Sequence, residues 1–250
     1  MPKLLTPSAN MNVGTIPGLR GYQFSAIRTD KLGASEYTLV TIAVDVSGSV
    51  VGFKDLLVES LKKAIEACRK SPRAANIMLR VITFASDVTE IHGFKPLMEI
   101  NIANDYDQID IGGNTALYDA SASSIGAMTE YGRVLSRQDY GVNGILFVIT
   151  DGGDNVSKFT PDTVKEKAEE AVSGEVLESF LSVLIGINAQ TYQTYLNDFQ
   201  QKAGLTQYMD AGNATPGNLA KLAAFVSKSV SSQANQVGTG QSASLVSIVI

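Results

Sequence analysis

Apolar residues along this chain fall into two alternating kinds of run. Short, nearly continuous β-branched stretches occur at 39–45 (LVTIAVD), 77–84 (IMLRVITF), 144–150 (GILFVIT) and 178–187 (containing SFLSVLIGI). Such runs suit strands covered on both faces of a parallel sheet. Between them lie segments with helical spacing. Over 53–70, Phe53, Leu56, Leu57, Leu61, Ala64, Ile65 and Cys68 share one face, and Ser71-Pro72 stops the pattern. Further helices are expected at 116–135, at 160–172 (where Thr160 caps and Pro161 takes the first helical position), at 192–203 and at 216–231. Residues 22–28 (YQFSAIR) partly alternate and suit an edge strand. Residues 88–94 read as a short antiparallel edge strand, and 207–210 as a short last strand. The alternation predicts an α/β fold: a doubly wound, mostly parallel central sheet flanked by helices, with one antiparallel edge strand.

The pattern divides the chain into an N-terminal arm over 1–33, a domain over 34–231 and a tail over 232–250. The arm is rich in Pro, Gly, Asn and Thr as far as residue 21 and reads as irregular, apart from the edge strand. Residues 229–241 are Ser/Gln/Gly-rich and expected to be flexible. The apolar end at 245–250 (LVSIVI) is too short to span a bilayer but could add a strand to a sheet edge, which makes self-association through the tail an open reading.

Composition narrows the chemistry. A chain of 250 residues, 44% hydrophobic, can bury roughly 70–75% of its unfolded surface, so no disulfide is needed. The single cysteine, Cys68, lies on an apolar helical face and reads as core. With 20 basic and 25 acidic residues and no basic–aromatic patch, nucleic acid is not an expected partner. No stretch reads as an export signal or a membrane span, so a cytoplasmic location is expected, and the glycosylation-like triplets at Asn155 and Asn213 read as chance matches. One histidine, His92, and one cysteine make zinc and iron–sulfur sites improbable. His92 accompanies no nucleophile motif and reads as structural.

Three loops that follow strands or precede helices carry oxygen donors, where open α/β sheets bind ligands. Asp45-Val-Ser-Gly-Ser49 follows the first buried strand. Gly112-Gly-Asn-Thr115 precedes the second long helix. Thr150-Asp-Gly-Gly-Asp154 follows GILFVIT. Hydroxyls from Ser47, Ser49 and Thr115 with carboxylates from Asp45 and Asp151 suit a hard cation such as Mg²⁺, with Mn²⁺ or Ca²⁺ as alternatives. Each element alone has a plainer reading: Asp45 as a strand-end cap, Thr115 as an N-cap, Asp151-Gly152 as a turn. Asp154 and Asn155 read as a surface turn near the expected ion, Asp119 as an acid placed at a helix start, and Asp105, Asp107 and Asp110 as an acidic cluster without EF-hand spacing.

Taken together, Asp45-x-Ser47-x-Ser49, Thr115 and Asp151 resemble the metal-ion-dependent adhesion site (MIDAS) of von Willebrand factor A (VWA) domains, and the similarity covers about 37–231. The resemblance implies that Ser47, Ser49 and Thr115 hold a divalent ion directly, that Asp45 and Asp151 act through bound water, and that a partner's Glu or Asp completes the shell. Within the family, the stretches 71–84, 113–119 and 225–232 look similar to bacterial TerY-like proteins of tellurium-resistance and stress-response clusters. The expected function is therefore a metal-dependent protein-interaction module, not an enzyme. Two alternatives stand beside it. One is a self-assembling structural subunit that uses its terminal arms. The other is a Mg²⁺-dependent phosphoryl-transfer enzyme, against which Ser47 stands where a second acid is usual and no P-loop is present.

Overall fold

The structure is a computed structural model and describes residues 2–4, 9–107, 109–173 and 176–236. Among the described residues nine strands form one sheet: β1 (Lys3–Leu4), β2 (Met11–Thr15), β3 (Gln23–Ile27), β4 (Glu36–Asp45), β5 (Ile77–Phe84), β6 (Val88–Pro96), β7 (Gly141–Thr150), β8 (Ser179–Gly186) and β9 (Gln207–Asp210). The order is β2-β3-β6-β5-β4-β7-β8-β9, with β1 also paired to β6. From β5 to β9 across β4 every neighbour is parallel, and β6 runs antiparallel to β5. The expected fold class is the one observed.

Among the described residues five α-helices cover the two faces: α1 (Lys54–Arg69), α2 (Leu117–Ser136), α3 (Pro161–Ser173), α4 (Gln193–Lys202) and α5 (Pro216–Gln236). The strands β4, β5, β7 and β8 feed both cores because successive side chains point to opposite faces. On β4, Leu39 and Ala43 join the core under α2, α3 and α4, while Val40, Ile42 and Val44 join the core under α1 and α5. That two-sided burial is why the central strands read as unbroken apolar runs.

Three expectations change. The arm is not irregular throughout: β2 and β3 form an antiparallel hairpin, with register from Met11 opposite Ile27 to Thr15 opposite Gln23. MNVGT lacks the alternation that announces a strand, because this segment pairs at the rim while Ile16 and Leu19 beyond it carry the packing. Second, β6 is antiparallel as expected but is not the last strand, since β1 and β3 extend the sheet beyond it. Third, α5 runs to Gln236, past the expected end near 231. Val230 and Ala234 continue the buried stripe of Leu219, Leu222, Ala223 and Val226. Gln233 is buried too and donates to Ser179 Oγ at 2.5 Å. The Ser/Gln composition hid that stripe. The remainder of the tail, including the apolar run 245–250, lies outside the described residues. Among the described residues no helix is long and apolar enough to cross a membrane.

Candidate metal centre

The parallel strands β4 and β7 are neighbours, so their carboxyl ends place Asp45 and Asp151 side by side. Asp45 closes β4 and is 1% exposed; Asp151 directly follows β7 and is 8% exposed. The chain turns at Asp45 because its Oδ1 accepts the Ser47 amide at 2.8 Å, an Asx-type contact. A 3₁₀ turn over Gly48–Phe53 then carries Ser49 back over the strand end. Ser49 Oγ donates to Asp151 Oδ1 at 2.8 Å and lies 3.1 Å from Ser47 Oγ. Four of the five candidate residues thus form one chain of contacts running Asp45, Ser47, Ser49, Asp151.

Thr115 reaches the same place through its backbone. Gly112 N donates to Val46 O at 2.9 Å and Gly48 N to Gly113 O at 3.1 Å, stitching the second loop onto the first. The Gly-Gly turn is required here. Gly113 has φ +83°, and a Cβ on it would sit 2.5 Å from Ser86 Oγ. The third loop is tied in by Asn155, whose Oδ1 accepts the Thr115 amide at 2.8 Å while its own amide donates to Thr115 O at 3.0 Å. The hydrogen-bond chain of the other four residues does not include the Thr115 hydroxyl; its loop, rather than its side chain, is what the contacts fix.

Several positioning residues carried no role in the sequence reading. Thr150 Oγ1 donates to Asp45 Oδ2 at 2.6 Å, so both oxygens of Asp45 are occupied within the chain. Asn155 and Asp154 read as a plain surface turn, yet Asn155 clamps Thr115, and Asp154 accepts from the amide and hydroxyl of Ser157. Tyr195 on α4 accepts the Asp154 amide at 3.1 Å and hydrogen-bonds the Tyr118 hydroxyl. Gly153 packs so closely on the Tyr195 ring that a Cβ there would approach to 2.9 Å. No local pattern could have shown that Tyr195, far along the chain, returns to this loop. Asp119 lies in the first turn of α2, as expected, and is in addition a buried anchor: it accepts the Tyr22 hydroxyl at 2.5 Å and the amides of Lys158 and Phe159 at 2.9 Å, fastening the arm and the third loop together.

Electrostatically, the centre lacks a counter-charge. Burial raises the Asp45 carboxyl above its ordinary value, opposed by the Thr150 and Ser47 hydrogen bonds and reinforced by the charge of Asp151. Burial likewise raises Asp151, opposed by Ser49. Among the described residues neither carboxylate makes an ion pair. Two buried acids with no basic neighbour, beside hydroxyls that can turn a proton to a carboxylate and a lone pair to an ion, fit a hard divalent cation. No cluster of three His, Cys, Asp or Glu occurs among the described residues. A site built from three hydroxyls and two carboxylates does not require one.

The other sequence candidates are structural. His92 is buried, with Nε2 2.7 Å from Tyr106 Oη and Nδ1 3.0 Å from Gly93 O. Cys68 is buried and its thiol is pushed up to about 12. Asp105 and Asp107 pair with Lys95 and Lys62 at 2.6 and 2.8 Å.

No family model and no curated protein matches the sequence. Solved structures do match in fold. The PilB minor pilin from Streptococcus sanguinis aligns with a TM-score of 0.57 at 15% identity, over 83% of this chain and 64% of its own. The pilus adhesin SpaC from Lactobacillus rhamnosus GG aligns at 0.60 and 11% identity, over 91% of this chain and 33% of its own. Proximal thread matrix protein 1 from the mussel byssus, in a structure described as having a zinc-occupied MIDAS motif, aligns at 0.53 and 18% identity, over 79% and 46%. This chain spans less than two thirds of each of these structures. At such identities the likeness speaks for the fold alone, a mostly parallel sheet flanked by helices, which is the class that the alternation of strands and helices led us to expect.

Proposed function

We propose that this chain is a metal-dependent protein-interaction module. Ser47, Ser49 and Thr115 would hold a divalent ion, Mg²⁺ or Mn²⁺ in first place, and Asp45 and Asp151 would orient its waters. The observation that carries the reading is the pair of buried carboxylates joined through Ser47 and Ser49 with no cationic side chain beside them. A dication held mainly by neutral hydroxyls keeps most of its charge available to a partner's Glu or Asp. The chain's own groups do the positioning: Thr150 locks the Asp45 carboxylate, Asn155 the Thr115 loop, and Tyr195 the loop after β7.

The reading includes the absence of turnover. No lysine or arginine among the described residues hydrogen-bonds Asp45 or Asp151, so a phosphoryl group in transfer would find no clamp from the chain at these carboxylates. The finer placement in a TerY-like bacterial stress-response system and a cytoplasmic location rest on the sequence stretches alone. Titration calorimetry with Mg²⁺ and Mn²⁺ tests the proposal: one site is expected in the wild type and none in Asp45→Ala of unchanged circular dichroism. Equal affinity in the two proteins refutes it.

A second reading, assembly with copies of itself, is favoured by one feature. Among the described residues β2 pairs on one side only, and its sequence, MNVGT, carries neither charge nor proline to guard that edge. Light scattering across concentration decides it. A mass that rises with concentration and stays monomeric in Val13→Lys supports strand pairing, whereas a constant mass rejects it.

A further inference from the structure

A groove of about 410 Å³ opens beside the candidate metal centre, between the β5–β6 turn and the loop that leads into Gly112. Its floor is aliphatic: Val46, Ile91, Ile109 and Ile111 line it. It is continuous with the metal loops through the backbone, because Val46 lies between Asp45 and Ser47 and its carbonyl accepts the Gly112 amide at 2.9 Å. Three charged residues line it, Lys3, Asp87 and Asp110. Asp110 is solvent-exposed and makes no ion pair among the described residues. A ligand lying across centre and groove therefore meets a site for a cation that selects an acid, aliphatic side chains, and an exposed acid that favours a base.

We infer that this groove reads the residues flanking the partner's metal-bound acid, and that it takes an extended peptide carrying an aliphatic side chain and then Lys or Arg on one side of that acid. The inference rests on the metal-dependent reading above. The aliphatic side chain buries against Ile91, Ile109 and Ile111, and the basic one faces Asp110. The metal supplies affinity for any accessible acid, and the groove decides which acid is chosen.

The test uses immobilised capped hexapeptides with one fixed central Asp and all other positions randomised, probed with the full chain in Mg²⁺. Aliphatic residues and then Lys or Arg should be enriched on the same side of Asp. Asp110→Lys, an exposed substitution, should turn the basic preference into an acidic one, by about fivefold each way for a single rim pair, and leave the aliphatic preference in place. Ile111→Asp should abolish the aliphatic preference. Capture that requires Mg²⁺ and the fixed Asp but shows no flanking preference, or one unchanged in Asp110→Lys, overturns the groove and leaves the metal site standing. Absence of any capture by a protein that binds Mg²⁺ in calorimetry also overturns the groove. Capture that survives chelator, or replacement of the fixed Asp by Asn, instead overturns the metal reading.

Discussion

Two places in this molecule bury carboxylates, and they deal with the charge in opposite ways. On the outer strands, Glu90 is 3% exposed and meets Arg80, 1% exposed, at 2.7 Å, while its other oxygen accepts the amide and hydroxyl of Ser25. The chain supplies its own counter-ion there, and the pair ties β5, β6 and β3 into one sheet. At the carboxyl ends of β4 and β7, Asp45 and Asp151 are buried too, yet among the described residues their partners are hydroxyls and amides. Burial costs a carboxylate several kcal/mol in either place. Where the chain completes the pair, the result is structural. Where it leaves the charge unanswered but the geometry tightly held, the proposed reading is a site for a cation from outside.

The largest effect should come from breaking the complete pair. Glu90→Ala leaves Arg80 buried and unpaired and should cost about 3–5 kcal/mol in denaturant unfolding. Asp45→Asn in chelator should cost no stability, because it removes a buried charge that lacks a counter-charge. Similar losses in the two variants would erase the contrast.

His92 offers a third solution, burial in the neutral form. Burial is the main cause that lowers it to about 4, helped by Lys95 and Arg80 and opposed by its bond to the Gly93 carbonyl and by Asp105. The unfolded chain takes up this proton near 6.5 and the folded one only near 4, so stability is full above about 6.5 and falls as pH drops through that window, by ~3 kcal/mol. Unfolding from pH 7 to 4 should show the slope in the wild type and a reduced one in His92→Gln; parallel curves would contradict it.

Metal linkage comes next. At a free Mg²⁺ concentration 100 times Kd the fold should gain about 2.7 kcal/mol, seen as a raised Tm, and Asp45→Asn should gain nothing. The smallest effect sharpens the role of the loops. Asn155→Ala removes the acceptor of the Thr115 amide and should weaken metal affinity about tenfold while the circular dichroism is kept.

The sequence showed the central strands well, because two-sided burial leaves unbroken apolar runs, and it located the three loops because their oxygen donors cluster at strand ends. It failed where packing comes from residues that look polar or small. Gln233 and Ala234 extend α5 inside a Ser/Gln-rich stretch. β2 owes its place to pairing with β3 rather than to its own pattern, and Arg80 interrupts an apolar strand to meet a partner on β6. At the candidate centre the sequence offered five candidate donors, four of which the structure joins in one chain of contacts, whereas the residues that hold them, Asn155 and Tyr195 above all, were not legible. Their roles depend on contacts across 40 or more residues. The anchoring contacts of Asp119 were hidden for the same reason: its partners lie on the arm and on the loop after β7.

Anomalous diffraction from crystals grown in Mn²⁺ tests the central claim most directly. The account predicts one strong peak at the carboxyl ends of β4 and β7, within coordination distance of the hydroxyls of Ser47, Ser49 and Thr115, with Asp45 and Asp151 reaching it through water. A map with no peak there, or with manganese bound only elsewhere while these five groups keep their internal hydrogen bonds, would contradict it.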